Sequence, residues 1–155
     1  MGSVLIVVQD DIYYMNLAFE EALKANDLDE VPIGCVIVFE GNVIAKAYNR
    51  KELDNVSIYH AEMLAIEQAC RKLGTWYLDK CTLYTTVEPC MMCTGAIIQS
   101  RIMRVVYGAS NSAFGYLSKA SGIKFEVVSG VLEEQCSQIM TNFFKECRKR
   151  EKSNF

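Results

Sequence analysis

The 155-residue chain is 51% hydrophobic and 23% charged, the composition of a single globular domain, and it is incompatible with global disorder. Its net charge of −3 argues against nucleic-acid binding through bulk charge. The charge is uneven: residues 1–40 carry eight acidic groups against Lys24, whereas the tail holds Lys145, Arg148, Lys149, Arg150 and Lys152 against Glu146 and Glu151. Such a tail suits either a local phosphate contact or a solvated helix end whose dipole favours cations.

The apolar stretch Val4–Val8 is too short for a membrane helix or a signal-peptide core, so a cytoplasmic protein with no membrane partner is expected. The seven cysteines are odd in number and lack an export signal, which favours reduced thiols over a disulfide framework.

In chain order, residues 1–10 read as an N-terminal extension and 11–155 as one domain. Asp11–Asn26 has helical spacing through Ile12, Met15, Phe19, Ala22 and Leu23. Ile33–Phe39 and Val43–Asn49 read as strands joined across Glu40-Gly41-Asn42, followed by a polar loop over 50–57. His60–Lys72 is helical, Thr82–Val87 is a strand ended by Glu88-Pro89, and Cys90–Ser100 is helical again. Met103–Tyr107 and Lys124–Val128 read as strands, and a last helix runs from Val131 to about Glu151. This order implies an α/β fold: a three-layer α/β/α sandwich around one mixed five-stranded sheet.

The chemistry concentrates in His60-Ala61-Glu62 and Pro89-Cys90-Met91-Met92-Cys93. Cys90 and Cys93 at i, i+3 share one helical face, and His60 is the chain's one imidazole. Two thiolates and an imidazole give zinc three ligands and leave a fourth position open, as catalytic sites do. Glu62 then has the reach to move protons between a water there and a substrate nitrogen. Cys81 or Cys35 offers a fourth ligand for a closed structural site, a reading that leaves Glu62 without a role. The pattern His-x-Glu followed by Pro-Cys-x-x-Cys is the signature of zinc-dependent deaminases.

With these stretches the chain resembles the cytidine-deaminase-like superfamily, and within it the bacterial tRNA-specific adenosine deaminases. The likeness spans Ile12 to Arg150. It includes Glu30-Val31-Pro32-Ile33-Gly34, Tyr48-Asn49-Arg50, Val87-Glu88-Pro89-Cys90, Cys93-Thr94-Gly95-Ala96, Arg104-Val105-Val106-Tyr107-Gly108-Ala109 and Asn142-Phe143-Phe144-Lys145. The resemblance implies a homodimer with one Zn2+ per subunit held by His60, Cys90 and Cys93. Its substrate would be the wobble adenosine of a tRNA anticodon stem-loop, converted to inosine. Glu62 would protonate N1 and then the departing ammonia, Asn49 would bond the flipped base, and the Ala61 N–H would meet the forming oxygen. Val31 would line the pocket, Asn111 would lie beside the ribose, and Phe143 and Phe144 would meet RNA.

Asn49 also suits a turn cap, and Val31 and Phe143 also suit a core. Two departures stand out: Tyr59 where many relatives carry a small residue, and a shortened stretch from Ser110 to Gly130. The shorter loop keeps a second reading open, deamination of a free base or nucleoside of guanine or cytosine type. A third is a non-catalytic zinc-stabilised RNA-binding subunit, for which Glu62 has no use.

Overall fold

A computed structural model describes residues 2–153, with side chains described from Asp10 onward. Five strands form one sheet in the order β2-β1-β3-β4-β5: β1 (Gly34–Phe39), β2 (Asn42–Tyr48), β3 (Cys81–Val87), β4 (Arg104–Ala109) and β5 (Glu126–Val128). β1 pairs antiparallel with β2 and β3, whereas β3, β4 and β5 run parallel. Five helices accompany them: α1 (Gly2–Asp27), α2 (Lys51–Asp54), α3 (Ala61–Leu73), α4 (Met91–Gln99) and α5 (Glu133–Ser153). The mixed five-stranded α/β sandwich expected from the sequence is therefore present. Among the described residues no helix is long and apolar enough to cross a membrane.

Strand alternation builds the two helical layers. Cys35 and Ile37 of β1, Leu83 of β3, and Val105 and Tyr107 of β4 join one core with Ala65, Ile66 and Ala69 of α3 and Ile97 of α4. The residues between them, Val36, Val38, Tyr84 and Val106, face the opposite core with Met15 and Ala18 of α1. This period of two, apolar on both faces, is what a sheet covered on both sides requires.

The boundaries differ from the sequence reading for local reasons. α1 begins at Gly2, not Asp11. The β1–β2 connection is a two-residue loop, Glu40-Gly41, with Phe39 paired to Asn42 and both loop residues at positive φ (50° and 76°). That conformation matches the twist of the flanking strands. A bulge between Ile37 and Val38 leaves Ile44 unpaired. β5 is shorter than Lys124–Val128 because its partner β4 begins at Arg104, which lies opposite Glu126. Within the 50–57 loop, α2 forms one short turn.

At the edge of the sheet where β4 starts, Arg104 grips Asp11 with two parallel bonds, Nη1 to Oδ1 and Nη2 to Oδ2, both 2.8 Å. The Tyr84 hydroxyl donates to the same carboxylate at 2.8 Å, so α1 is tied to β3 and β4 through a bidentate, charge-assisted contact. At the other edge α1 lies directly on β1: a Cβ on Gly34 would strike the Ala18 carbonyl. Gly34→Ala should therefore force α1 off the sheet and cost roughly 1–3 kcal/mol or more. A urea titration with an unchanged midpoint would refute this packing.

Candidate active site

Residues Tyr48 at the end of β2, Gly34 at the start of β1 and Val87 at the end of β3 lie along one edge of the sheet, because Gly34 pairs with Tyr48 and Cys35 with Thr85. The helices that follow, α3 and α4, both start there. This is where open α/β sheets place ligands, outside the carboxyl ends of parallel strands. His60 and Cys90 are the N-cap residues of α3 and α4, each in extended backbone (φ −74°, ψ 152° and φ −73°, ψ 178°). Both precede their helices, so Cys90 is not itself on the helical face assigned to it from spacing. It meets Cys93 across the helix start.

His60 Nδ1 lies 3.6 Å from the sulfurs of both Cys90 and Cys93. The ligand atoms of these three residues all fall within 4.8 Å of one another, and they are the one group of this kind among the described residues. Cys35 and Cys81 are buried in the apolar core instead, so neither completes a closed four-ligand set. The trio could hold a metal ion with three protein ligands.

The electrostatics suit a cation. The hydrogen bond from Cys93 lowers the Cys90 thiol to about 4 despite burial. Cys93, sharing that bond from the other side and itself buried, is held well above the ordinary thiol value. His60 is raised by its bond to Cys90. Helix N-termini add positive potential at the same point.

Glu62, in the first turn of α3, is 3% exposed, and its Oε1 has no hydrogen-bond partner. Burial pushes its carboxyl up to about 7. A buried, unpartnered carboxylate oxygen beside two thiols and an imidazole is a group prepared for something absent from the protein itself. The donor set, soft sulfur with imidazole nitrogen, matches zinc.

His60, Glu62 and Cys90 open onto a cavity of about 480 Å³. Its polar floor includes Asn49, His60 and Glu62; Val31, Ala61 and Asn111 also line it. Asn49 is buried and its amide is held from behind: Nδ2 donates to Glu30 Oε2 at 3.2 Å and to the Val31 carbonyl at 3.4 Å. Its Oδ1 accepts the Lys51 N–H at 3.4 Å, so the residue lines the cavity and also caps a turn.

α5 divides its residues by face. Cys136 and Phe143, seven apart, are its buried residues. Met140 and Phe144, four apart, line the cavity. Phe143 is thus buried and absent from the cavity wall, the place in the core that its sequence also suited. Phe144 remains partly exposed at the cavity. Among the tail cations, Arg150 donates to Asp29 Oδ2 at 2.7 Å in an exposed ion pair.

Sequence reasoning passed over four contributors. Glu30 is buried and accepts from Asn49 and from the Leu53 N–H. Glu88, marked only as a strand end, accepts the Asn111 N–H at 3.2 Å and the Ser118 N–H at 2.8 Å. Phe114 and Met140 also line the cavity. A carboxylate in an otherwise apolar stretch, as in Thr86-Val87-Glu88-Pro89, is the one signal that could have found Glu88.

Comparison with known proteins agrees with this geometry. The family description MafB19-like deaminase matches residues 9–148. A tRNA-specific adenosine deaminase of Bacillus subtilis (strain 168) is 46% identical, over 95% of this chain and 96% of its own. That of Aquifex aeolicus (strain VF5) is 40% identical over 88% and 95% respectively. A solved structure from work on A-to-I editing by tRNA:A34 deaminases superposes with a TM-score of 0.78 at 38% identity, covering 82% of this chain and 98% of that one. A guanine deaminase from Nitrosomonas europaea gives 0.76 at 25% identity, covering 85% and 83%. Fold and site together define a deaminase of the cytidine-deaminase-like class. Within it, the chain belongs to the tRNA-specific adenosine deaminase family.

The Glu88 clamp is testable. Burial opposes its charge, but the bonds from Ser118 and Asn111 outweigh it and hold the carboxyl below its ordinary 4.5. Glu88→Gln leaves one buried N–H facing an amide and should cost roughly 1–3 kcal/mol. Hydrogen exchange at Asn111 or Ser118 should quicken. A folded value below the unfolded one means this stabilisation is complete above pH 4.5 and is lost as pH falls through the folded value. The stability gap between wild type and Glu88→Gln should therefore close at acid pH; a constant gap would refute the clamp.

Proposed function

We propose that this enzyme converts adenosine to inosine at the wobble position of a tRNA anticodon, with one zinc ion per subunit held by His60, Cys90 and Cys93. The observation that carries the mechanism is the buried Glu62 with its unpartnered oxygen at the cavity wall beside those three residues. The relatives' names carry the choice of substrate.

When bound, zinc supplies Lewis-acid activation of water in a site with one open position. Glu62 does the proton work. As a carboxylate it takes a proton from the attacking water and delivers it to adenine N1. It then takes the remaining proton from the hydroxyl formed on C6 and passes it to the amino group, which leaves as ammonia while the oxygen stays on C6 as the carbonyl. A carboxyl raised to about 7 by burial is suited to both directions of transfer near neutral pH. Ala61, at the first helical position of α3, has an N–H with no partner within the helix, available to the oxygen forming at C6. Asn49, held by Glu30, bonds the base edge; Val31 packs on its face; Asn111 meets the ribose; Phe144 meets the RNA beyond the target.

The domain at 11–155 is taken as one catalytic unit with 1–10 as its extension, working in the cytoplasm as a homodimer. Exposed Met91 and Ile98 on α4 support a covering partner surface. The second reading, a free-base deaminase, draws on the likeness to the guanine deaminase at lower identity.

The deciding experiment is nucleoside mass spectrometry after incubation with an anticodon stem-loop bearing a wobble adenosine, with guanine, cytosine, adenosine and cytidine in parallel. Inosine in the stem-loop is expected; turnover of a free base with an untouched stem-loop would replace this reading with the second. Glu62→Gln should retain zinc by elemental analysis and lose turnover by roughly 10²–10⁴-fold. Near-normal turnover would remove Glu62 from the mechanism. Cys90→Ala should purify with far less than one zinc per chain, and a zinc-replete, active Cys90→Ala protein would overturn the ligand set.

A further inference from the structure

We propose that Phe114 is a base-stacking residue that holds a nucleotide next to the deaminated adenosine, so that the enzyme selects a single-stranded polynucleotide over a free nucleoside. The inference rests on the wobble-adenosine reading above and extends it to a residue with no role there.

Phe114 lines the catalytic cavity yet is 76% exposed, the most exposed of the large apolar side chains described. Its ring contributes little to any core. Its backbone, by contrast, is firmly held. The Phe114 N–H donates to Asn111 Oδ1 at 3.0 Å and the Gly115 N–H to the Asn111 carbonyl at 2.8 Å. Glu88 fixes the loop at Asn111 and Ser118, and the Tyr116 N–H donates to the Pro89 carbonyl at 3.0 Å. Gly115 forms a bridge with Cys90 and sits so close to Glu88 that a Cβ there would lie 2.5 Å from its Oε1. The loop is thus anchored to the segment that carries Cys90, and it presents an aromatic ring at the cavity on a backbone already ordered before binding.

The surroundings say what that ring meets. Phe144 of α5 lines the same cavity and is also exposed. Beyond it lies an adjoining groove of about 310 Å³ that shares Asn111, Met140 and Phe144 with the cavity. The groove is lined by Arg148 together with the hydroxyls of Ser110, Ser112, Ser137 and Thr141. Aromatic rings that accept any base face, next to hydroxyls and a guanidinium suited to sugar and phosphate, are the elements of a single-strand binding path. A free nucleoside, confined to the cavity floor, has no use for the groove. Lys51 at the cavity adds a second cation on the route.

The test uses the full-length zinc enzyme and the anticodon stem-loop, with 2-aminopurine placed next to the wobble adenosine. Phe114→Leu keeps an apolar side chain without a stacking face, and Phe114→Trp keeps the face. The expected result is a KM for Phe114→Leu raised roughly 5- to 100-fold, the range that loss of one stacked base produces. Its kcat should stay within about twofold of wild type. Phe114→Trp should stay close to wild type in both, and the quenching of 2-aminopurine on binding should persist in wild type and Phe114→Trp and fade in Phe114→Leu. Melting temperatures should not move, because the side chain is outside the core. An unchanged KM and quench in Phe114→Leu, with wild type forming inosine, would overturn this inference alone. So would an equal loss in Phe114→Trp. A wild-type enzyme that forms no inosine in the stem-loop would overturn the wobble-adenosine reading as well.

Discussion

The convergence of two helix N-termini on one edge of the sheet is the constraint from which the rest of the site follows. His60 and Cys90 each occupy the residue just before a helix, in extended backbone that no helix could lend them. Their approach to 3.6 Å depends on β1 pairing with both β2 and β3, which brings the chain leaving β2 alongside the chain leaving β3. A register slip of one residue would exchange the side chains of the two cores and carry the two caps apart. The ligand trio is therefore as secure as the sheet, and the sheet is secured at its far edge by the Asp11–Arg104–Tyr84 contact.

Three buried glutamates surround this point, and the partners each one has decide what it does. Glu30 and Glu88 have both oxygens occupied, by side-chain or backbone N–H donors, so they position Asn49 and the 110–118 loop. Glu62 keeps one oxygen unpartnered, and burial holds its carboxyl near 7. The same functional group is thus a fixed strut where N–H donors occupy both oxygens, and a raised, partly unpartnered carboxyl where burial disfavours its charge.

α5 closes the site by a similar division of labour. The face carrying Cys136 and Phe143 packs on the sheet, and the face carrying Met140 and Phe144 walls the cavity. Arg150 bonds Asp29, one residue from Glu30, in an exposed ion pair near the helix end. The cavity wall thus combines polar side chains, Asn49, His60 and Glu62, with the aromatic rings of Phe114 and Phe144.

The sequence by itself determined the layers and the chemistry. Apolar runs alternating with helical spacing specify an α/β sandwich, and a lone imidazole with Cys-x-x-Cys and a neighbouring glutamate matches the signature of the deaminase class. It left open whatever depends on the direction a side chain takes. Phe143 and Phe144 are adjacent and identical in kind, yet one is core and the other lines the cavity, since about 100° of helix rotation separates them. Glu88 and Glu30 read as ordinary acidic residues until the fold buries them against N–H groups contributed by residues more than twenty positions away. Cys81 and Cys35 stood as possible ligands by composition, and the tertiary structure placed them in the apolar core. Local pattern encodes which groups are present and which face of an element is apolar; long-range packing alone decides which of those groups meet.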